Sequence, residues 1–544
     1  MAKTSARGLK GNRGHTADTF SDEHYVYGHV LEALTGGLYP NKLDVLREYV
    51  QNSYDAIKTY AQLGNDPAEC EIRIYTKSNS VLVHDNATGM DLDTLQEYRK
   101  LGFSKKPYGQ YAGWRGIGKA AGLAVAEKLI VTTQPIGGQE CYQLEFRSSE
   151  MLEVLHEVRS RGENVPLDRL IQSYSSIESL EGDDGSHYTT VELCKIRSDS
   201  QELLDPNLLV EHLSQVSPVP FHPDFQHTIR ISESLSEHID DYLPVKISVN
   251  GDQVFKPYRA VWGPEDATIH LKEPEFLPIY DEGELVAFCW YCMNAGKGQI
   301  KTRIPVGANE IDISGLVYRI SDIRIGDRQL VRKTAWTASP ERAFYALGEI
   351  HILDPGIEPT SDRNDLQDSF ARLRFYTLCN EMIASEINRK AHKQSGELRA
   401  EEKATLHLQS LKDLSSQMKS EKIPMELVQS AIYKATSAKE DLEKRKRFIV
   451  SRGTKKKASQ VRKLADEVIG TVLPLTRPGA SEAKVAETIL DFPREMDLSE
   501  ESAVIYSSVM RVLRDYFLSE PEVYEELVTR IQQDLRKSLE RQGC

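Results

Sequence analysis

The chain has 544 residues, several times the roughly 150 residues of a typical domain, which predicts more than one domain. Hydrophobic residues make up 40% and charged residues 28%, as in folded globular proteins, so a disordered chain is excluded. The net charge of −14 argues against a protein that coats nucleic acid over its whole surface, but it allows a local basic patch. No apolar run approaches the roughly 18 residues of a membrane span, and the N-terminus lacks an apolar signal segment, so we expect neither feature.

The seven cysteines are scattered and odd in number, which predicts reduced thiols in a cytoplasmic protein. Cys289 and Cys292 form a CxxC pair inside an aromatic and β-branched segment that predicts a strand. Residues three apart on a strand point to opposite faces, so the pair is interpreted as structural rather than as a metal site.

The N-terminal part predicts a mixed layer of helices and strands. Residues 1–22 contain basic residues and glycines without an apolar pattern, which predicts a flexible basic tail. A helical pattern follows from about His24 to Lys58, with breaks near Gly36 and Pro40. A glycine-rich stretch at 102–122 then leads into a helix end and a strand. Further strands are predicted at 71–76, 80–84, 142–146 and 189–193.

Composition divides the rest of the chain. Four prolines between 206 and 223 mark a boundary, strands and turns alternate over 245–355, and residues 366–470 are rich in helix formers. We therefore predict an α+β protein with three parts after the tail. They cover residues 23–205, 206–390 and 391–544, and the last is mostly α-helical.

The first candidate motif is LDVLREYVQNSYDAIKTY. Glu48, Asn52 and Asp55 are spaced i, i+4 and i+7, so they share one face of a predicted helix. Apolar residues such as Val50 and Ile57 form another side. A solvated helix surface is the alternative interpretation.

The second motif is VLVHDNATGMDLDTL, in which an apolar strand ends in Asp85 and is followed by Gly89 and Met90. A carboxylate fixed at a strand end can accept the exocyclic amino proton of adenine, while a glycine lets the base lie against the backbone. An Asx turn is the alternative.

The third motif is a run of glycines, Gly113, Gly116 and Gly118, just before an Ala-rich segment that predicts a helix. Backbone N–H groups at a helix N-terminus hold polyphosphates, although a flexible loop also fits the pattern. The fourth motif is HYTTVEL, a predicted strand with Thr189 and Thr190, for which simple strand propensity is the alternative.

In this order the four motifs resemble the Bergerat-fold ATPases, the superfamily of gyrase, the heat-shock chaperones, the histidine kinases and MutL. AGWRGIGKAAGLAVAEKLIVTT is similar to the lid and following strand of the ninety-kilodalton heat-shock chaperones. ALGEIHILDPGIEPTSDRNDLQDSF is similar to their middle-domain segment, and GLVYRISDIRIGDRQLV to the transducer region of bacterial chaperone-like ATPases. The resemblance covers about residues 24–390. It implies a Bergerat α/β sandwich ATPase domain at 23–205 and an α/β transducer domain at 206–390.

ATP and Mg²⁺ are the ligands that this resemblance implies. Glu48 would be the general base for the attacking water, Asn52 the Mg²⁺ ligand, and Asp55 a support for the waters of the metal. Asp85 would read the adenine. The residues that the resemblance places around the base and the phosphates are Gly89, Met90, Thr189, Gly113, Gly116, Ile117, Gly118 and Lys119.

Three positively charged positions complete the implied site. Lys105 or Lys106 in GFSKK would reach phosphate, a placement that resembles the GxSxK box of MORC proteins. Lys119 stands where chaperones usually have an aromatic residue. Arg363 is the candidate γ-phosphate contact from the middle domain, and a surface arginine paired with a neighbouring aspartate is its alternative.

Two kinds of partner stay open. The downstream similarity favours a chaperone-like ATPase that acts on a protein client, whereas GFSKK and a basic cluster at 444–463 favour a MutL- or MORC-like ATPase that binds nucleic acid. A solvated helix face is the simpler account of the cluster, and no aromatic residues interleave it for base stacking. Both classes imply a homodimer held by the C-terminal helices. A scaffold with a degenerate nucleotide site is disfavoured because Glu48, Asn52 and Asp85 are all present.

Overall fold

The structure is a computed structural model, and the chain divides into two compact units, Met1–His392 and Lys393–Cys544. The predicted tail at 1–22 lies outside the described residues. No described helix is long and apolar enough to cross a membrane. The structure describes residues 26–32, 37–105, 116–259, 270–296, 298–300, 304–306, 309–418, 423–476, 505–506, 509–510, 512–513 and 521–542.

An eight-stranded sheet forms the first part of the first unit. Its strands are β1 (Glu71–Thr76), β2 (Ser80–Asp85), β3 (Ala126–Gln134), β4 (Glu140–Arg147), β5 (Ser175–Glu181), β6 (Tyr188–Ile196), β7 (Lys246–Val249) and β8 (Asp252–Val254). Their order is β5-β4-β3-β6-β2-β1-β7-β8, and only β1 and β7 pair in parallel. The turn between β1 and β2 is closed by a hydrogen bond from Lys77 N to Ser80 O, 2.8 Å.

Helices of the first unit pack around this sheet and a second one. They are α1 (His29–Glu32), α2 (Asp44–Gln62), α3 (Leu92–Tyr98), α4 (Ser148–Ser160), α5 (Leu167–Ser173), α6 (Pro206–Val216), α7 (Thr228–His238), α8 (Arg328–Ala335) and α9 (Phe370–Leu378). The apolar side of α2, including Val45, Val50 and Ile57, shares one core with Val83 of β2 and Leu129 of β3. Burial of this stripe fixes the orientation of α2 against the sheet.

The break predicted near Pro40 in the helical pattern at 24–58 agrees with the structure, because α2 starts only at Asp44, after the short α1. Two other predictions differ from the structure. The Ala-rich segment after the glycines is a 3₁₀ helix, Gly118–Ala124, rather than an α-helix. The first sheet also continues past residue 205, because β7 pairs with β1 across a long stretch of chain.

A second, five-stranded sheet follows in the first unit. Its strands are β9 (Glu275–Asp281), β10 (Glu284–Met293), β13 (Gly315–Ile320), β14 (Ile323–Ile325) and β15 (Ala346–Ile352), and β11 (Ile304–Val306) and β12 (Asn309–Ile311) form a separate pair. The strand order in the second sheet is β14-β13-β15-β10-β9. On β10, Cys289 packs in the core of one sheet face and Cys292 in the core of the other, as the strand alternation predicts.

The second unit is helical where it is described. Alanines and leucines of three of its helices form one core, for example Leu411, Ala435 and Ala465. The helices are α10 (Ser385–Gln417), which begins in the first unit, α11 (Met425–Lys444), α12 (Arg452–Val472) and α13 (Pro521–Gln542). The predicted fold class, two α/β sheet regions followed by a mostly helical region, is therefore confirmed.

Candidate functional site

The polar face of α2 is buried, which decides between the two interpretations of its sequence. Glu48 is only 7% exposed and Asp55 only 1%, whereas a solvated helix face would leave carboxylates in water. Buried carboxylates are costly unless neighbouring groups compensate them, so this face belongs to a site rather than to the surface.

A cavity of about 400 Å³, here called the site cavity, lies against this face of α2. Every predicted site residue that the structure describes lines it: Glu48, Asn52, Asp55, Asp85, Gly89, Met90, Lys105, Gly116, Ile117, Gly118, Lys119, Thr189 and Arg363. Lys106 and Gly113 lie outside the described residues. The volume falls within the range typical of small-molecule sites.

The strand register explains why Asp85 and Thr189 meet. Asp85 at the end of β2 lies directly opposite Thr189 of β6, which in turn lies opposite Thr133 of β3. The Asp85 carboxylate accepts hydrogen bonds from Ser53 Oγ at 2.7 Å and from Ala87 N at 3.2 Å. The second bond is the Asx turn that the sequence allowed, so turn geometry and cavity lining occur together.

Burial raises the pKa of the Asp85 carboxyl to about 6, and the hydrogen bond from Ser53 is the main opposing influence. If the Asp85 carboxylate binds the adenine amino group, as the resemblance implies, ADP affinity should fall as the pH drops through this value, because the ionised carboxylate is the stronger acceptor of that hydrogen bond. If only that form binds, Kd rises about tenfold per pH unit below the pKa. Calorimetric titrations with ADP between pH 5 and 8 (roughly one pH unit below and two above that value) measure this.

Ser53→Ala is the matched variant for this experiment. It removes a hydrogen bond that stabilises the ionised carboxylate, so the pKa of Asp85 and the midpoint of the affinity curve should move to higher pH. The ionisation of ADP itself is the same for both proteins. Identical midpoints would show that Asp85 does not control binding.

Gly89 has a backbone conformation and surroundings that require glycine. Its φ is +61°, and a Cβ there would lie 1.9 Å from the carbonyl oxygen of Gln134. This close approach brings the segment after β2 against the end of β3. The N–H of Met90 also donates to Thr133 Oγ1, 2.9 Å.

We expect Gly89→Ala to destabilise the first unit much more than Gly137→Ala does. Both glycines have positive φ, which costs an L-residue about 1–2 kcal/mol, but a Cβ at Gly137 meets nothing within 4 Å. The clash at Gly89 should add about 1–3 kcal/mol. Thermal unfolding of both variants measures the difference, and equal melting temperatures would contradict it.

Glu48 lies in a confined position on the cavity wall. Its Oε1 is buried, makes no hydrogen bond among the described residues and lies 3.7 Å from Nη2 of Arg47. A Cβ at Gly118 would lie 2.2 Å from Glu48 Oε2. The Glu48 carboxylate therefore fits here because residue 118 is glycine and has no Cβ.

Arg47 connects α2 to the loop that carries Arg363. Its guanidinium pairs with Asp44 at 3.2 Å and donates to the carbonyl oxygen of Asp362 at 3.0 Å. Arg363 is 5% exposed, so it is not the surface arginine of the alternative interpretation. Its φ of +53° is unusual for a residue other than glycine, and such strain clusters at functional sites.

The segment after Gly116 is anchored by Lys119. The Lys119 ammonium donates to the carbonyl oxygens of Glu97 at 3.1 Å and Phe103 at 2.9 Å, and lies 5.8 Å from the centre of the Tyr98 ring. Gly116 has φ +67° and lies against the Phe103 backbone. In this arrangement Lys119 holds main-chain groups of the cavity wall, and its contact with phosphate stays a prediction.

Lys105 lies at the edge of the cavity, where its side chain is mostly exposed. It forms an ion pair with Glu97 at 2.8 Å, and this hydrogen-bonded pair raises the pKa of Lys105. A phosphate contact from Lys105 would replace that pair.

Several lining residues were not predicted. Thr59 continues the polar face of α2 one turn beyond Asp55, so the helical spacing alone was enough to find it. Ser53, Tyr98 and Ser361 also line the cavity, but they reach it only through the tertiary fold and carry no local signal.

The donor set of the cavity fits the implied ligands. Asn52 Nδ2 and Gln51 Oε1 are buried without a hydrogen-bond partner among the described residues, and so is Glu48 Oε1. Such atoms usually have a ligand or water partner. The amide N–H of Asn52 is a donor, so it fits an acceptor such as a phosphate or water oxygen, and only the side-chain oxygens could bind Mg²⁺. Amide and carboxylate oxygens are the kind of ligand that Mg²⁺ prefers, and it retains several waters, so one protein ligand beside phosphates suffices.

Comparison with known proteins agrees with this geometry. No curated protein matches the chain significantly. Residues 42–166 match the family model described as histidine kinase-, DNA gyrase B-, and HSP90-like ATPase. The matched segment contains α2, the Asp85 turn and the glycine segment, and the match supports a Bergerat-fold ATPase domain in the first unit.

Proposed function

We propose that the protein is a Mg²⁺-dependent ATPase of the heat-shock-chaperone type, which uses ATP to drive lid closure and dimer cycling on a protein partner. The observation that carries the proposal is the meeting of three separate parts of the chain in the site cavity. They are the buried face of α2, the strand-end Asp85 and Arg363 from the loop between β15 and α9.

Binding follows from the placement of these groups. The Asp85 carboxylate accepts a hydrogen bond from the amino group of adenine, and the backbone of Gly89 and Met90 lies beside the base. The triphosphate extends along α2 towards Gly116 and Gly118. Asn52 would hold Mg²⁺, which when bound would supply positive charge to neutralise the phosphate oxygens.

Hydrolysis needs a base and a cation, and the cavity supplies both. As the oxygen of the attacking water bonds to the γ-phosphorus, Glu48 takes a proton from that water. The bond from that phosphorus to the bridging β,γ-oxygen breaks, and ADP leaves with the electron pair. Arg363 stabilises the charge that spreads over the transferred group.

The direct test is release of phosphate from ATP by the full chain. We expect slow hydrolysis that stops when Mg²⁺ is removed and an affinity for ATP well above that for GTP, because the guanine O6 cannot donate to Asp85. Asp85→Asn should weaken binding about 100-fold or more, as expected when a charged hydrogen bond inside a buried site is lost. A native protein that neither binds nor hydrolyses ATP would contradict the proposal.

A second candidate function is supported by the second unit. The basic cluster lies on the end of α11, the following turn and the start of α12. Four of its members pair with carboxylates: Arg445 with Asp441, Lys446 and Arg462 with Glu443, and Lys457 with Glu401. Among the described residues no ion pair is found for the other six, namely Lys444, Arg447, Arg452, Lys455, Lys456 and Lys463.

The start of α12 favours a bound anion. Its first turn contains Arg452 and no acidic residue, although a helix N-terminus prefers negative charge. A nucleic-acid backbone would neutralise these cations, as expected for a MutL- or MORC-like ATPase. Filter binding to duplex DNA over a salt series tests it with the six unpaired residues changed to Ser. Salt-insensitive binding, or binding unaffected by the changes, would favour the chaperone-like function.

We further propose that the protein is a homodimer held by its C-terminal helices. Sedimentation of the full chain and of a chain ending at Asn388, both without nucleotide, tests this. The full chain should sediment as a dimer and the shortened chain as a monomer. A dimeric shortened chain would place the contact elsewhere.

A further inference from the structure

A second cavity lies in the first unit, with a volume of about 140 Å³. Tyr54 of α2, Tyr242 between α7 and β7, and Asp322 in the turn between β13 and β14 line it, together with Arg363. Its apolar wall consists of Ile239, Ile320, Ile352, Leu353 and Ile357. A cavity of about this size holds a molecule as large as benzene.

Three polar atoms of this lining have no partner. The hydroxyls of Tyr54 and Tyr242 and Oδ2 of Asp322 are buried and make no hydrogen bond among the described residues. An unsatisfied buried polar group costs about 1–3 kcal/mol, so three around one cavity indicate a missing partner. The site cavity shows the same pattern at Glu48 and Asn52.

A buried charge network holds Asp322 in place. Lys256 Nζ donates to Asp322 Oδ1 at 2.7 Å and to Glu349 at 3.2 Å, and Arg319 Nε donates to Glu349 at 2.6 Å. Ser321 and Asp322 both have positive φ, as a tight two-residue hairpin turn requires. The turn and the network therefore fix one oxygen of Asp322 and leave the other for the cavity.

This network argues against a metal ion at the same place. Asp322, Glu349 and His351 are close enough together to hold one. However, hydrogen bonds from Lys256 and Arg319 already occupy Oδ1 of Asp322 and both oxygens of Glu349, so too few free carboxylate oxygens remain to coordinate a metal ion. Only the outward oxygen of Asp322 is available to a ligand.

The electrostatics of the cavity favour a cationic ligand. Its lining has four carboxylates, of Asp241, Asp322, Asp354 and Glu358, and one guanidinium, of Arg363. Lys58 pairs with Asp241 and Lys256 pairs with Asp322, so these carboxylates outnumber the three cations by one. Burial, and then the negative charge of Asp322, raise the pKa of both tyrosine hydroxyls well above the ordinary value. The hydroxyls therefore stay neutral, and their oxygens can accept hydrogen bonds.

We propose that the second cavity binds a small primary amine as its ammonium ion. An ammonium has three N–H donors, which match the three unsatisfied oxygens of Tyr54, Tyr242 and Asp322. The isoleucine and leucine wall packs against an apolar body of about four to six carbon atoms, the size that the volume admits. Tyr54, Tyr242 and Asp322 do not line the site cavity, although Arg363 lines both cavities, and the proposed amine site goes beyond the proposed ATPase activity.

The test is a titration of the full chain, without nucleotide, with n-butylammonium and with n-butanol. We expect one saturable site for the ammonium and an affinity at least about tenfold higher than for the alcohol, since a charged hydrogen bond to Asp322 is lost in the alcohol. Tyr54→Phe and Tyr242→Phe should each weaken ammonium binding about three- to tenfold. Tyr280→Phe, at a half-exposed position outside both cavities, should leave it unchanged.

Three results would overturn the proposal: no saturable binding of the ammonium, equal affinity for ammonium and alcohol, or full affinity in both Phe variants. Circular dichroism checks that the variants are folded. If one Phe variant does not fold, the other decides. Because nucleotide is absent, the outcome does not depend on whether the protein hydrolyses ATP.

Discussion

Glu48→Gln should abolish most ATP turnover while ATP binding stays nearly unchanged. The change keeps the shape of the side chain but removes the carboxylate that accepts the proton of water, and general bases contribute about 10²- to 10⁴-fold to rate. Glu48 Oε1 lies on the cavity wall without a hydrogen bond among the described residues, and the charge-dependent contact that the change weakens is its 3.7 Å pair with Arg47. Steady-state phosphate release and calorimetric ATP binding measure the two quantities separately.

Two further variants sharpen this experiment. Gly118→Ala places a methyl group where Glu48 Oε2 now lies and should reduce turnover by displacing the carboxylate, without removing any chemical group. Glu145→Gln changes a carboxylate that pairs with Lys128 on the sheet, outside the site cavity, and should leave turnover unaltered. If Glu48→Gln keeps a turnover within about threefold of native, Glu48 is excluded as the base. A threefold loss is far smaller than the rate contribution of a general base, about 10²- to 10⁴-fold.

Arg363→Ala should lower kcat about 10³-fold, the scale seen when a cation that meets the transferring phosphoryl group is removed. ADP affinity should stay close to native, because ADP lacks the γ-phosphate that Arg363 is proposed to contact. Single-turnover hydrolysis and ADP titration measure the two effects. Arg374→Ala is the control, since Arg374 is an exposed arginine paired with Asp281.

Arg363→Gly separates the side chain from the backbone. Glycine adopts φ +53° without strain, so it removes the guanidinium and relieves the conformation together. If the guanidinium acts on phosphate, the Gly and Ala variants should be equally slow. Recovery of activity in the Gly variant would show that the loop conformation, rather than the charge, matters.

The parts of the fold that depend on local patterns were predictable. The polar face of α2 and the hairpin of β1 and β2 follow from helical spacing and strand alternation, and both agree with the structure. The strand that ends in Asp85 was also placed to within one residue. These features need no information about distant residues.

Features set by distant contacts were not predictable. The parallel pairing of β7 with β1 joins segments separated by more than a hundred residues, and no local pattern marks it. The Ala-rich segment after Gly118 has helical propensity, yet it forms a 3₁₀ helix in which Tyr49 Oη accepts a hydrogen bond from Gly122 N, 2.7 Å. Tertiary contacts override propensity at such places.

The candidate site shows the same division. Spacing and resemblance identified the residues on α2 and the β2 turn, because they are close together in sequence. The relation between Arg47, Glu48 and the carbonyl of Asp362 could not be found in this way, because it depends on how a loop more than three hundred residues away packs on α2.

The anchoring of Lys119 has a consequence for which positions tolerate change. The two acceptors described above, at Glu97 and Phe103, are carbonyl groups of the main chain, which every amino acid provides. Side chains at 97 and 103 can therefore vary without removing the acceptors, whereas the amine at 119 has no substitute in the backbone. For these two hydrogen bonds, a saturation-mutagenesis map should therefore show sensitivity to substitution at position 119 and tolerance at positions 97 and 103.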